Sequence, residues 1–467
     1  MSPALEDCPP EIIENICRVL DLEAVCHLRQ TCRELACKAT QDHFESFLQC
    51  KEVFITPDGL QRFAKATQSG LISSRLQRLK LTGIVNNTLR LAATTRDEGL
   101  ESDVRKDAER HLDVLTQRQE EFEEMHSAGL DILTLAEAFR NLATCSVRSG
   151  TLLSISLNIV AYRTDSKQRL QPSAQGSWKM IWERTASTYW TCMRALLQSG
   201  LQISALDVFT KQERCSLACN EMSAMIPTDG MPSLSTLKSL SISLSDRLIE
   251  ESHREAERTG DSADEIDWEV DDKGGRPHSE LAKEAADESN YSGLIHLLIS
   301  CPALEDLDLH QYSLKTRVPV SLHKERYLQR IAEQAPLSKL KSLTLRGFTA
   351  RADDLLVLVR RPALRVLKLE RLLLVAGSGN FQPIFKYCTG ANSCYDELHF
   401  EDLYEGHVLV LFASIASGGL ENATLRRSGV QEVRRPIVYQ AREEEIVGSP
   451  GVYEHQAKVR RIYGPPR

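Results

Sequence analysis

The stretch Leu304-Glu-Asp-Leu307-Asp-Leu309 decides how this chain is read. Its pattern is an aliphatic residue, two variable ones, an aliphatic, one variable, and an aliphatic. The alternation at its end fits a short strand with one face buried, because successive strand side chains point to opposite faces. The hexad returns downstream as Leu340-Lys-Ser-Leu343-Thr-Leu345 and Leu364-Arg-Val-Leu367-Lys-Leu369. Upstream it stands as Leu76-Gln-Arg-Leu79-Lys-Leu81, Leu152-Leu-Ser-Ile155-Ser-Leu157, Ile203-Ser-Ala-Leu206-Asp-Val208 and Leu237-Lys-Ser-Leu240-Ser-Ile242. Tyr395-Asp-Glu-Leu398-His-Phe400 and Leu420-Glu-Asn-Ala423-Thr-Leu425 are degenerate copies.

Between the hexads the periodicity predicts helices. They span Leu294–Ser300, ended by Cys301-Pro302, Asp354–Arg360 before Pro362, and Val408–Ala416 before Gly418-Gly419. A strand–turn–helix unit of this size hides its apolar face only against its neighbours, so the units must stack. The hexad resembles the core of a leucine-rich repeat. Late spacings of 36, 24, 31 and 25 residues include two of ordinary repeat length; the others require insertions, and three of the four earlier gaps, of 76, 51 and 67 residues, are longer still. An ordinary α/β protein with parallel strands also yields such hexads by chance. Nine occurrences, four of them with Pro or Gly punctuation just before or between, favour an irregular solenoid over residues 51–433.

The first fifty residues read differently. Asp7 to Gln41 predicts three short helices, with Pro9 and Pro10 at the start, where an N–H is unpaired anyway, and Glu11 at the positive helix end. Ile12, Ile13, Ile16, Val19 and Leu20 recur at helical spacing. Asp21 is the next expected N-cap, followed by Leu22, Val25, Cys26 and Leu28. Thr31-Cys32-Arg33-Glu34 has capping-box spacing before Leu35, Ala36 and Ala39. Three helices this short do not fill a core, so their apolar stripes call for a further cover.

From Leu5 to Ala36 the chain resembles an F-box. Pro9, Glu11, Ile12, Ile13, Ile16, Leu20, Asp21, Val25, Leu28, Arg29, Cys32 and Arg33 fall in the family's register. Cys8 stands where the family has Leu, and Leu35 where an aromatic is common. The resemblance implies an α/β chain with an N-terminal three-helix F-box over residues 1–50 and divergent repeats of the fungal F-box type behind it. It further implies a substrate receptor of a Skp–cullin–F-box ubiquitin ligase, the Skp-type adaptor and through it the cullin being partners. Pro9, Glu11, Ile12, Ile13, Ile16, Leu20, Val25, Leu28, Arg29 and Cys32 are the adaptor-binding residues by this resemblance. A protein substrate of unstated identity would occupy the repeats. An interaction scaffold working outside a ligase is the alternative.

Two insertions and a tail interrupt the repeats. Arg96 to Ser127 is dense in charge and predicts an exposed amphipathic helix with Val104, Ala108, His111, Leu112 and Leu115 on one face. Asp246 to Asn290 holds 16 Asp/Glu against 6 Lys/Arg, so the rest of the −8 chain sums to +2; this block is expected to be a disordered loop. Residues 434–467, with Arg pairs at 434–435 and 460–461, are expected to be a poorly packed tail.

An acidic balance argues against a nucleic-acid-coating protein. No run of 18 apolar residues predicts a membrane span, and MSPALEDCPPEII lacks the basic and apolar regions of a secretory signal, which points to cytosol or nucleus. Thirteen scattered cysteines without CxxC pairs fit buried thiols. No phosphate-binding loop, GxSxG or HExxH is present, and Cys215-x3-Cys219 lacks His partners, so neither a metal, a cofactor nor an enzyme is expected. Cys26-His27 are neighbours on a helix and diverge, which excludes a dyad. A repeat-fold enzyme would instead need polar side chains converging from distant hexads.

Overall fold

The computed structural model describes residues 5–68, 70–149, 153–166, 168–170, 178–212, 215–224, 232–245, 283, 287–312, 324–406, 408–413 and 420–442. It is a mixed α/β chain built on one large, mostly parallel sheet that does not close into a barrel.

The hexads assemble that sheet. Its strands are β1 (Cys50–Phe54), β2 (Arg78–Asn86), β3 (Leu153–Tyr162), β4 (Ile203–Val208), β5 (Leu217–Ala218), β6 (Ser239–Ser245), β7 (Asp306–Tyr312) and β8 (Ser342–Arg346). The smaller sheet starts with β9 (Thr349–Ala350), and β10 (Val366–Glu370) returns to the large one. Order in the large sheet follows the chain, with β5 beside β6 and the last strands described below. The second aliphatic of each hexad pairs with its counterpart next door: Leu79, Ile155, Leu206, Leu240, Leu307, Leu343, Leu367 and Leu398 make one continuous row. The third aliphatics make a second row, from Leu81 and Leu157 through Val208, Ile242, Leu309, Leu345 and Leu369 to Phe400. Both rows are buried, and so is the first hexad position wherever it is described, as at Leu237, Leu304, Leu340 and Leu364. Each such side chain contributes about 1.5–3 kcal/mol by leaving water. A slip of one residue would turn a whole row to solvent, so burial fixes the register.

Helices return the chain from strand to strand on the apolar side of the sheet. Leu130–Ser149, Trp178–Ser199, Ser289–Ile299, Glu325–Gln334, Ala352–Val359 and Gln382–Cys388 supply this layer, and the last four touch one another in chain order. At the end of three strands the backbone turns through the left-handed region, at Gly347 (φ 76°), Arg371 (φ 53°) and Asp402 (φ 52°). Their amides donate to the next strand over: Gly347 N to Glu370 O at 2.9 Å, Arg371 N to Glu401 O at 2.8 Å and Asp402 N to Ala423 O at 3.1 Å. Past each turn the chain makes a second, short strand. β11 (Leu373–Leu374) and β13 (Tyr404–Glu405) continue the parallel sheet begun by β9.

The carboxyl-terminal end departs from the hexad reading. Val408–Ala413, expected within a helix, is a strand, β14, antiparallel to β13. Its run Val-Leu-Val-Leu-Phe has no polar residue at helical spacing and is rich in strand-forming types. The last hexad does not add a parallel unit. It divides into β15 (Leu420–Asn422), paired with β14, and β16 (Thr424–Ser428), which runs antiparallel to β12 (Glu397–Glu401) and ends the large sheet. The expected tail begins later than residue 434, because β17 (Tyr439–Arg442) pairs with β14 and Ile437 is buried. Residues 443–467 lie outside the described residues, as does the acidic block except Lys283 and residues 287–290.

The charged insertion is an amphipathic helix, Ser102–Ser127, with one buried face and most of its residues exposed. Ala108, Leu115, Phe122 and Met125 are buried, while Val104 is exposed. In its last turn, His126 Nδ1 lies 2.8 Å from the fully buried Asp131, which also accepts a 2.7 Å hydrogen bond from Thr191. Burial pulls the Asp131 carboxyl upward, but these hydrogen bonds outweigh it and leave the group below its ordinary range. Arg184 lies over the Phe122 ring at 3.4 Å, and burial pulls its guanidinium down to about 10. Among the described residues no helix is long and apolar enough to cross a membrane.

Candidate partner-binding surfaces

The amino-terminal unit has a turn of 3-10 helix, Leu5–Asp7, and four α-helices rather than three: Pro10–Cys17, Leu22–Thr31, Arg33–Lys38 and Asp42–Gln49. The fourth brings Phe44 and Leu48 into a core with Ile13, Cys17, Val25, Leu35 and Ala39. Asp21 caps the second helix, accepting from Ala24 N at 2.8 Å. The expected capping box is displaced by one residue. Thr31 closes the second helix, and Cys32 is the N-cap of the third, its Sγ accepting from Leu35 N at 3.4 Å.

The expected adaptor-binding residues divide by burial. Ile13 and Val25 are 0% exposed, so they hold the unit together and offer nothing to a partner. Both side chains are enclosed by the unit's own helices. Arg29 is half-buried with its guanidinium 3.9 Å from the centre of the Phe44 ring, and its Nε makes no hydrogen bond. Ile16, Leu20, Leu28 and Cys32 are half-buried around the same core. Pro9 and Glu11 are exposed, and Ile12 is 47% exposed. Two further apolar residues at this surface were not among the candidates: Leu5 at 43% and Val19 at 83%. Val19 follows the end of the first helix, so its helical spacing from Ile12 and Ile16 does not place it on their face.

This unit is joined to the body without a linker. The fourth helix ends at Gln49 and β1 starts at Cys50. Gln77 N donates to Gln49 O at 2.9 Å, Arg75 pairs with Glu45 at 2.7 Å, and Ile72 packs on the helical core. The body thus covers one flank of the unit and leaves the Leu5, Ile12 and Val19 side chains in solvent. β1 itself carries no hexad, because Lys51 occupies the row position that Leu79 holds next door.

The second surface is the outward face of the large sheet, where polar residues alternate with the buried rows. Across β7, β8, β10, β12 and β16 it is charged. Arg346 donates to Asp308 from Nε and Nη2, one edge of its guanidinium, at 2.9–3.2 Å. Lys368 pairs with Glu397 at 3.0 Å, and His399 lies 3.2 Å from both Glu401 and Arg426. Burial raises the Asp308 carboxyl despite Arg346.

Here the fold brings together two residues that sequence alone left apart. Ser243 Oγ lies 3.3 Å from His310 Nδ1 on neighbouring strands. Burial, then the charges of Arg346 and Arg371, push this imidazole down to about 3. A general base works best with a pKa near the operating pH, so His310 is a weak proton acceptor for serine. Among the described residues no group of three His, Cys, Asp or Glu side chains is placed to hold a metal ion. Buried Cys192 and Cys301 have thiols pushed up to about 12 by desolvation, the behaviour of small apolar fillers.

No protein-family model matches this chain, and no curated protein matches it.

Proposed function

We propose that this chain is a non-catalytic receptor: an F-box-like unit that docks on a Skp-type adaptor, followed by an irregular leucine-rich-repeat body that holds a protein target within a cullin-based ubiquitin ligase. The observation that carries the reading is the exposure of Leu5, Ile12 and Val19 on a small unit that already has a closed core of its own. Apolar side chains left in water on so small a unit are suited to a partner helix or groove. The repeat part of the proposal is supported by the two unbroken aliphatic rows and the recurring left-handed turn. The gain from such a receptor is effective concentration and orientation of target lysines, with no chemistry on this chain.

The test is the double variant Ile12→Asp with Val19→Asp in the full chain, expressed in eukaryotic cells. The variant should keep the wild-type thermal midpoint, since both side chains are exposed, and should lose the co-purifying Skp-type adaptor. Retention of the adaptor at the wild-type level sinks the proposal. Cullin in the wild-type eluate separates ligase membership from adaptor binding outside a ligase.

A further inference from the structure

Among the described residues the large sheet ends on an unpaired edge, and we infer that this edge, β16, is a docking strand for an extended acidic segment of a partner protein. The inference stands apart from the adaptor reading, because none of its residues belongs to the amino-terminal unit.

The direction of the backbone groups follows from the bonds at either end of the β12–β16 pair. Asp402 N donates to Ala423 O at 3.1 Å, and Gly429 N donates to Asp396 O at 2.8 Å. In an antiparallel ladder bonded and non-bonded pairs alternate. With Phe400 opposite Leu425 and Leu398 opposite Arg427, the bonded residues of β16 are Leu425 and Arg427. Thr424, Arg426 and Ser428 therefore turn their N–H and C=O away from β12. All three residues are exposed, and no strand among those described pairs with this side. Such a row of free donors and acceptors is a template for one more strand.

Charge selects what fits. Arg426 sits at the centre of the edge with its side chain 70% exposed, and Glu401 at 3.5 Å and His399 leave most of its guanidinium donors to solvent. A second copy pairing antiparallel about this centre would set Arg426 against Arg426, and like charges directly opposite are unfavourable. A strand carrying Asp or Glu at that position gains instead. Arg427 does not compete, since its guanidinium is held by the carbonyls of Glu432, Arg435 and Pro436. The segment these carbonyls belong to is thereby pinned beneath the strand, which keeps the edge in place.

The experiment uses the full chain and two synthetic heptapeptides, Thr-Val-Thr-Glu-Thr-Val-Thr and the same peptide with Lys for Glu. Hydrogen–deuterium exchange should show the Thr424–Ser428 amides protected by the Glu peptide, and titration by fluorescence anisotropy should show it bound about fivefold more tightly than the Lys peptide. Arg426→Glu should reverse that preference. Arg426→Pro removes one outward donor while sparing the bonds to β12, and should weaken the Glu peptide by about fivefold or more. Should the proline variant unfold, the charge reversal decides alone. Equal binding of the two peptides, no protection at Thr424–Ser428, or a concentration-dependent dimer of the wild type that Arg426→Glu abolishes would each overturn the inference.

Discussion

Gly347 stands where the backbone leaves no room for a side chain. It takes φ 76°, and a Cβ there would meet the Gln311 carbonyl oxygen at 2.3 Å. Gly347→Ala combines a left-handed cost of about 1–2 kcal/mol with that backbone clash, so a loss of about 2–4 kcal/mol is expected in urea unfolding. Arg371 and Asp402 occupy the matching turn without that freedom. His310 makes a pH-dependent prediction. Its folded pKa, about 3, lies below the ordinary 6.5, so between those values the unfolded chain takes up a proton that the folded chain refuses. Stability from this group is full above pH 6.5 and falls as pH drops toward 3, by at most about 1.4 kcal/mol per pH unit. His310→Gln should flatten the stability profile between about pH 6 and 4, measured by denaturant midpoints across that range. A profile unchanged by the substitution would refute this account.

At the scale of elements, adjacent isoleucines of the first helix have opposite tasks. Ile13→Ala removes a fully buried side chain and should cost the amino-terminal unit about 2–4 kcal/mol, whereas Ile12→Ala should leave its thermal midpoint nearly unchanged. Phe44→Ala should destabilise the same unit to a similar degree, since it empties the core and removes the ring under Arg29. Differential scanning calorimetry of the three variants checks both claims. Parallel hexads such as Leu304 to Leu309 are legible because their aliphatics occupy the buried rows. The fourth helix was not, because eight residues with Phe44 and Leu48 four apart make too little pattern to separate from a loop. β1 escaped notice because a charged residue, Lys51, stands in one row. Val408–Ala413 was mistaken for a helix because a wholly apolar run has no period. At the candidate surface, neither spacing nor the family resemblance shows which residues are enclosed, so Ile13 and Val25 stand beside Ile12 in the expected set although only Ile12 is exposed.

The whole molecule is held by neighbour-to-neighbour contacts along the sheet, from β1 to β16. In such a stack the interfaces add in one dimension, so weakening a central layer should uncouple the two ends. Leu343→Ser, in mid-sheet, is expected to turn one unfolding transition into two, seen as separate exchange-protection classes on either side of β8. A single cooperative transition in that variant would show that coupling extends past nearest neighbours. The join at Gln49–Cys50 has its own mechanical meaning. With a helix running straight into a strand, and a backbone hydrogen bond and an ion pair bracing the corner, the chain behaves as a lever and not as a tether. On the receptor reading proposed above, a target gripped along the sheet would be presented to the partner of the first helices at a set angle and distance, with reach determined by where along the lever the grip lies.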